Sequence, residues 1–155
     1  MKKTIIANWG SSQQGKSETI KRVTKLILQN YPNAVCESIN FEVDIKVVIT
    51  INDIKVGVES TGDPNSRLPE SLKLFASVNC DIILCSTRTS GGTVNAVDTL
   101  AAENGYNVIW VTNHRSNEYD HQELNQMSAE NIYKIFDSVY KDKLKLKLAK
   151  AEVAL

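Results

Sequence analysis

No stretch of the chain approaches the length of apolar sequence that a bilayer-spanning helix needs. The opening MKKTIIANWG has only Ile5, Ile6 and Ala7 as an apolar core, too short for a secretory leader, and runs at once into polar residues. A cytoplasmic protein without membrane partners is therefore expected. Charge of either sign is not in excess: 18 basic and 18 acidic side chains give a formal net charge of +0. A binder held to nucleic acid or anionic membrane mainly by bulk charge does not fit that balance. Cysteine is scarce, and Cys36, Cys80 and Cys85 form an odd set without zinc-ligand spacing. All three are expected to be reduced, with Cys80 and Cys85 inside strands. The two histidines, His114 and His121, stand in a polar stretch, and no His/Cys/Asp arrangement suggests a catalytic nucleophile. Internal repeats and low-complexity linkers are missing as well.

What is present is an alternation of strand and helix patterns in 155 residues, enough for one domain with its own core. KKTIIAN reads as a short buried strand. The following helix places Ile20, Val23, Leu26 and Ile27 on one face and ends at Pro32. NAVCES is compatible with a short strand. Apolar residues then alternate from Phe41 through Val43, Ile45, Val47 and Ile49 to Ile51, and Asn52-Asp53 supplies a two-residue turn into a return strand ending at Glu59. A helix is expected from about Pro69 to Val78, and CDIILCST reads as a strand covered on both faces. SGGTVNAVDTLAAENG predicts a helix with Val94, Val97, Leu100 and Ala101 inward and Gly105 as its stop. NVIWVTN is read as another buried strand. The polar stretch Asn113–Met127 is either functional or partly helical. Ser128 is expected to cap a last helix with Ile132, Ile135, Phe136 and Val139 inward. The expected architecture is an α/β three-layer sandwich. It has a mostly parallel sheet, an antiparallel hairpin at one edge and helices on both faces. Residues 1–140 form the domain and 141–155 a helical extension of it.

One segment carries chemistry. Gly10-Ser-Ser-Gln-Gln-Gly15-Lys16-Ser17 fits the pattern G-x-x-x-x-G-K-S/T, after an apolar strand and at the start of an amphipathic helix. Glycines let the backbone wrap a phosphate, successive N–H groups form an anion nest, and the helix N-terminus adds partial positive charge. The lysine can reach the terminal phosphates, and the serine hydroxyl can join a magnesium shell. At these residues the chain resembles the P-loop NTPase superfamily. The resemblance implies a nucleoside triphosphate with Mg2+, held by Gly10, Ser11, Ser12, Gln13, Gln14, Gly15, Lys16, Ser17 and Glu18. It gives Ser17 a metal role and Lys16 a catalytic one.

P-loop proteins also supply an acid at the end of another apolar strand. Glu59, after Val56-Gly57-Val58, is the expected acid on the magnesium side, and Asp63 assists it or orients an attacking water. A finer resemblance, to Ras-like GTPases, lies in the hairpin and in Glu59-Ser60-Thr61-Gly62, where glutamate replaces the family's aspartate. The guanine-reading pattern would fall at Asn113-His114-Arg115-Ser116, without its lysine and aspartate. ATP is therefore the expected nucleotide. Arg67, Arg88 and Arg115 each follow a strand; Arg88, beside the glycine-bearing turn TRTSGGT, is the favoured catalytic arginine, and Ser86 or Thr87 is a candidate sensor of the γ-phosphate. The expected activity is slow hydrolysis of a phosphoanhydride coupled to a conformational change. The alternatives are a small-molecule or nucleotide kinase and a non-catalytic nucleotide-binding module. The tail YKDKLKLKLAKAEVAL continues the apolar stripe through Leu144 and Leu148, and is read as a surface for a second copy or a protein partner.

Overall fold

The computed structural model describes residues 3–10, 15–63 and 66–154. In chain order the elements are strand β1 (Thr4–Trp9), helix α1 (Lys16–Asn30), strands β2 (Lys46–Ile51) and β3 (Ile54–Glu59), helix α2 (Leu68–Ser77), strand β4 (Ile82–Thr87), helix α3 (Gly92–Asn104), strand β5 (Asn107–Thr112) and helix α4 (His121–Ala154). The strands form one sheet in the order β2-β3-β4-β1-β5, parallel except for the β2–β3 pair. This is the α/β arrangement the sequence pattern predicts, with its hairpin at one edge. The hairpin turn is set locally: Asn52 (φ 49°) and Asp53 (φ 67°) both take the left-handed conformation that two-residue hairpin loops require.

Side-chain alternation sorts the core into two halves. On one face Ile6, Leu84 and Val56 meet Ile20, Val23 and Ile27 of α1 and Ile132, Phe136 and Tyr140 of α4. On the other, Ile5, Ala7, Ile83 and Cys85 meet Leu68, Leu72 and Phe75 of α2 and Val97 and Leu100 of α3. Ile6, Phe75 and Phe136 are completely buried, and each such side chain contributes about 1.5–3 kcal/mol by leaving water. β4 is buried along its whole length because both edges are paired and both faces covered.

Several expectations fail for identifiable reasons. The alternation from Phe41 does not become strand until Lys46, because β3 leaves the ladder after Glu59 and nothing remains for earlier residues to pair with. Ser60 instead closes the hairpin: its N–H donates to the Ile45 carbonyl and its Oγ accepts from the Ile45 N–H. NAVCES reduces to a single bridge between Val35 and Thr50. β5 is an edge strand, so Trp110 is exposed rather than buried. Ser128 does not cap the last helix. Asp120 does, accepting N–H groups of Gln122 and Glu123 at 2.7 and 3.2 Å, while Ser128 lies buried one face inside α4. Asn113–Met127 is thus partly helical. α4 runs 34 residues without a break across position 140. Its last anchor is Lys147, which donates to the Asp53 carbonyl at 2.6 Å, while Leu148 and Val153 beyond it are exposed. Among the described residues no helix is long and apolar enough to cross a membrane.

Candidate functional site

The carboxyl ends of β1, β3 and β4 and the N-terminus of α1 open on the same side of the sheet, because parallel strands feed their following loops to one edge. Gly15 is the first residue outside α1 and takes φ +72°; a Cβ there would press on the Asn125 amide at 2.5 Å. Only glycine satisfies both the left-handed backbone and that close approach. Beneath it runs a buried amide relay. Asn8 Nδ2 donates to Asn113 Oδ1 at 2.7 Å, and Asn113 Nδ2 donates to Thr19 Oγ1 at 2.8 Å and Asn125 Oδ1 at 3.2 Å. The relay ties β1, α1, the end of β5 and α4 together beside Gly15. Ser11, Ser12, Gln13 and Gln14 lie outside the described residues.

Lys16 is nearly buried, and its Nζ donates to the Gly10 carbonyl at 2.8 Å. Burial lowers its pKa, and the nearby Arg88 charge lowers it further, against an opposing pull from Asp63. Ser17 donates its hydroxyl to Asp44, which also accepts from Ser60 Oγ at 3.0 Å. Partial burial pushes the Asp44 carboxyl up. Hydrogen bonds from Ser17, Thr61 and Ser60, with the Lys21 charge, outweigh it and hold the group below the ordinary carboxylate value. Asp63 faces Arg88, whose Nη2 and Nε lie 3.1 and 3.3 Å from Oδ1. Lys16, Ser17, Asp44, Thr61, Asp63 and Ser86 line a cavity of about 170 Å3. Gly62 closes its back wall so tightly that a Cβ would collide with the Ser86 carbonyl. Ser86 Oγ, on a residue 1% exposed, has no hydrogen-bond partner among the described residues.

Of the residues singled out in the sequence, Lys16, Ser17, Asp63 and Ser86 meet at this cavity, with Arg88 at its rim. Glu59 does not. Its carboxylate is fully buried and turned toward α2. Arg67 binds both oxygens, at 2.6 and 3.1 Å, Ser71 Oγ donates at 2.7 Å and the Thr61 N–H at 3.3 Å. Glu18 instead pairs with Arg22 at 3.2 Å and faces a second, larger cavity. That cavity, about 800 Å3, lies on the other side of Gly15 between His114, Arg115, Asn117 and Gln122. Trp9 donates to the Thr89 carbonyl at 3.1 Å and is not a core residue. Sequence reasoning missed Asp44, Asn8 and Asn125. Asp44 was hidden inside what reads as a strand, and amide relays have no spacing signature. The described residues contain no cluster of three or more His, Cys, Asp or Glu able to hold a metal alone. Compared with known proteins, the chain matches no family model, no curated protein and no solved structure.

Proposed function

We propose that the chain binds a nucleoside triphosphate, ATP with Mg2+, at Gly10–Ser17 and slowly hydrolyses its terminal phosphoanhydride. The observation that carries this reading is the convergence of Lys16, Ser17, Asp63 and Ser86 on one small cavity at the N-terminus of α1, with Arg88 bound to Asp63. The donors suit phosphate: an ammonium, a guanidinium, hydroxyls and the N-terminus of a helix. Oxygen ligands without a dedicated cage suit a cation that arrives with its phosphates. When bound, Mg2+ would neutralise charge on the β- and γ-phosphates. Lys16 would exchange the Gly10 carbonyl for phosphate oxygens, and Arg88 would leave Asp63 for the γ-phosphate. Asp63, released, orients the attacking water. Water adds to the γ-phosphorus, the bond to the β–γ bridging oxygen breaks, and the water proton leaves with phosphate. The larger cavity beside Gly15 accommodates the nucleoside.

The Ser60–Arg67 loop is the element set to report the γ-phosphate, since Thr61 and Asp63 line the cavity and Arg67 anchors the far end on Glu59. A kinase reading rests on the Thr87–Thr93 turn, where Gly91 and Gly92 border open space beside Arg88. Phosphate release from ATP, GTP and their diphosphates, measured with and without alcohol or nucleotide acceptors, separates these readings. Acceptor-independent release supports the hydrolase, and release that requires an acceptor replaces it with a kinase. Tight binding without turnover leaves a binding module.

A further inference from the structure

We propose that Asp44, and not Glu59, is the carboxylate that enters the coordination sphere of the cation bound with the nucleotide, beside the Ser17 hydroxyl. The inference rests on the nucleotide-binding reading above and assigns the acid within it.

Four observations carry it. Asp44 already holds the Ser17 hydroxyl, and it shares the cavity with Ser17, Thr61 and Ser86. It is solvent-exposed and rides on the coil before β2, so it can shift without disturbing the core. Glu59 is in the opposite position. Both its oxygens are committed, to Arg67, Ser71 and the Thr61 N–H, and turning it to a cation would leave Arg67 unpaired and break all of these bonds.

The fourth observation points to a ligand rather than to packing. Ser86, 1% exposed, is one of the residues lining the same cavity, and its buried Oγ has no partner among the described residues. Buried hydroxyls in folded proteins are almost always paired. A phosphate oxygen or a cation-bound water in the cavity would satisfy it. The donors facing the site are hard oxygens with two carboxylates, Asp44 and Asp63, and Asp63 is held by Arg88. One acid held only by hydroxyls, together with those hydroxyls, leaves the remaining positions to phosphate oxygens and water, which is how Mg2+ is held beside a nucleotide.

The test is calorimetry of ATP binding to the full chain, in Mg2+ and in EDTA, for wild type, Asp44→Asn and Glu59→Gln. The wild type should bind more tightly in Mg2+. Asp44→Asn should keep its affinity in EDTA and lose about tenfold of the Mg2+ enhancement. Glu59→Gln should keep the enhancement and melt at a lower temperature. Should Asp44→Asn fail to fold, the wild type carries the test. Addition of Mn2+ with ATP should broaden the amide signals of Ser17 and Asp44 before those of Glu59 and Ser71. An intact enhancement in Asp44→Asn, or first broadening at Glu59 and Ser71, overturns the assignment of Asp44 alone. A wild type that binds no ATP in either buffer overturns the nucleotide reading, and the assignment with it.

Discussion

Arg67 lays its guanidinium against both carboxylate oxygens of Glu59, with Nε 2.6 Å from Oε1 and Nη2 3.1 Å from Oε2. The acid is wholly buried at the end of β3, and the arginine is half in water. A buried carboxylate that loses its partner keeps its desolvation cost without the compensating charge. Arg67→Ala should therefore destabilise the fold by about 3 kcal/mol, the low end for breaking a buried pair because Arg67 is itself part-exposed. Urea unfolding measures it. A loss under 0.5 kcal/mol would mean that Ser71 and the Thr61 N–H suffice.

Two glycines separate scaffold from site. Gly57 sits in β3 with the Phe75 ring 2.5 Å from where a Cβ would be, so Gly57→Ala overpacks the core and should cost about 1–3 kcal/mol. Gly62 abuts the backbone of β4 at Ser86. Gly62→Ala must lift the loop from the cavity, and should lower nucleotide affinity more than it lowers the melting temperature. Equal effects of the two substitutions on calorimetric affinity would contradict this division.

The acid limb of stability should carry a mark of Asp44. Partial burial opposes ionisation there, but hydrogen bonds from Ser17, Thr61 and Ser60 and the Lys21 charge win, placing the folded-state pKa below the ordinary 3.8. The unfolded chain therefore takes up this proton first as pH falls. The stabilisation is complete above the unfolded value and is lost as pH drops through the lower folded one. Urea midpoints of wild type and Asp44→Asn should differ at pH 6 and converge below the ordinary carboxylate value. A constant gap would show that the charge is irrelevant.

The thiols report the layering independently. Burial pushes Cys85 up to about 12 and Cys80 up to about 11, whereas Cys36 is only half-buried, its thiol raised by burial and the neighbouring Glu37. Since the thiolate is the reactive form, a disulfide reagent at pH 8 should titrate Cys36 slowly in the native protein. All three should react in urea. Rapid native labelling of Cys85 would contradict a β4 sealed on both faces.

Truncation after Lys147 should leave the melting temperature nearly unchanged, because Leu148 and Val153 are exposed and the anchoring bonds to Asp53 and Asp81 are retained. Removal from Lys141 onward should destabilise the fold, since it takes the buried Lys143 and the Lys147 anchor as well. Light scattering of the shorter truncation tests whether the exposed turns join a second copy: the tail reading expects a fall in mass, and an unchanged mass ends it.

The layers were legible because each rests on local pattern. Ile20-Val23-Ile27 and Ile132-Phe136-Val139 repeat at helical spacing, and Asn52-Asp53 fixes the hairpin register. The Gly10–Ser17 pattern was visible as spacing too. The acid beside Ser17 was not. Asp44 reads as the outward residue of a strand, but β2 begins only two residues later, at Lys46, because strand length depends on where β3 departs. Sheet order is equally non-local: nothing in β3 or β4 announces that β4 inserts next to β1 and carries Ser86 to the cavity. Trp110 was misread as core because an apolar strand looks the same at an edge as at the centre.

The most direct test of the account is ATP calorimetry in Mg2+ on wild type and Lys16→Ala. Lys16 lies at a loop–helix junction, where its ammonium bonds the Gly10 carbonyl, so the variant should stay folded by circular dichroism. The account predicts measurable binding by the wild type and a loss of at least about thirtyfold in the variant, the effect of removing a charge-assisted contact worth roughly 2 kcal/mol or more. Equal affinities in the two proteins, or no binding of any nucleoside triphosphate by the wild type, would contradict it.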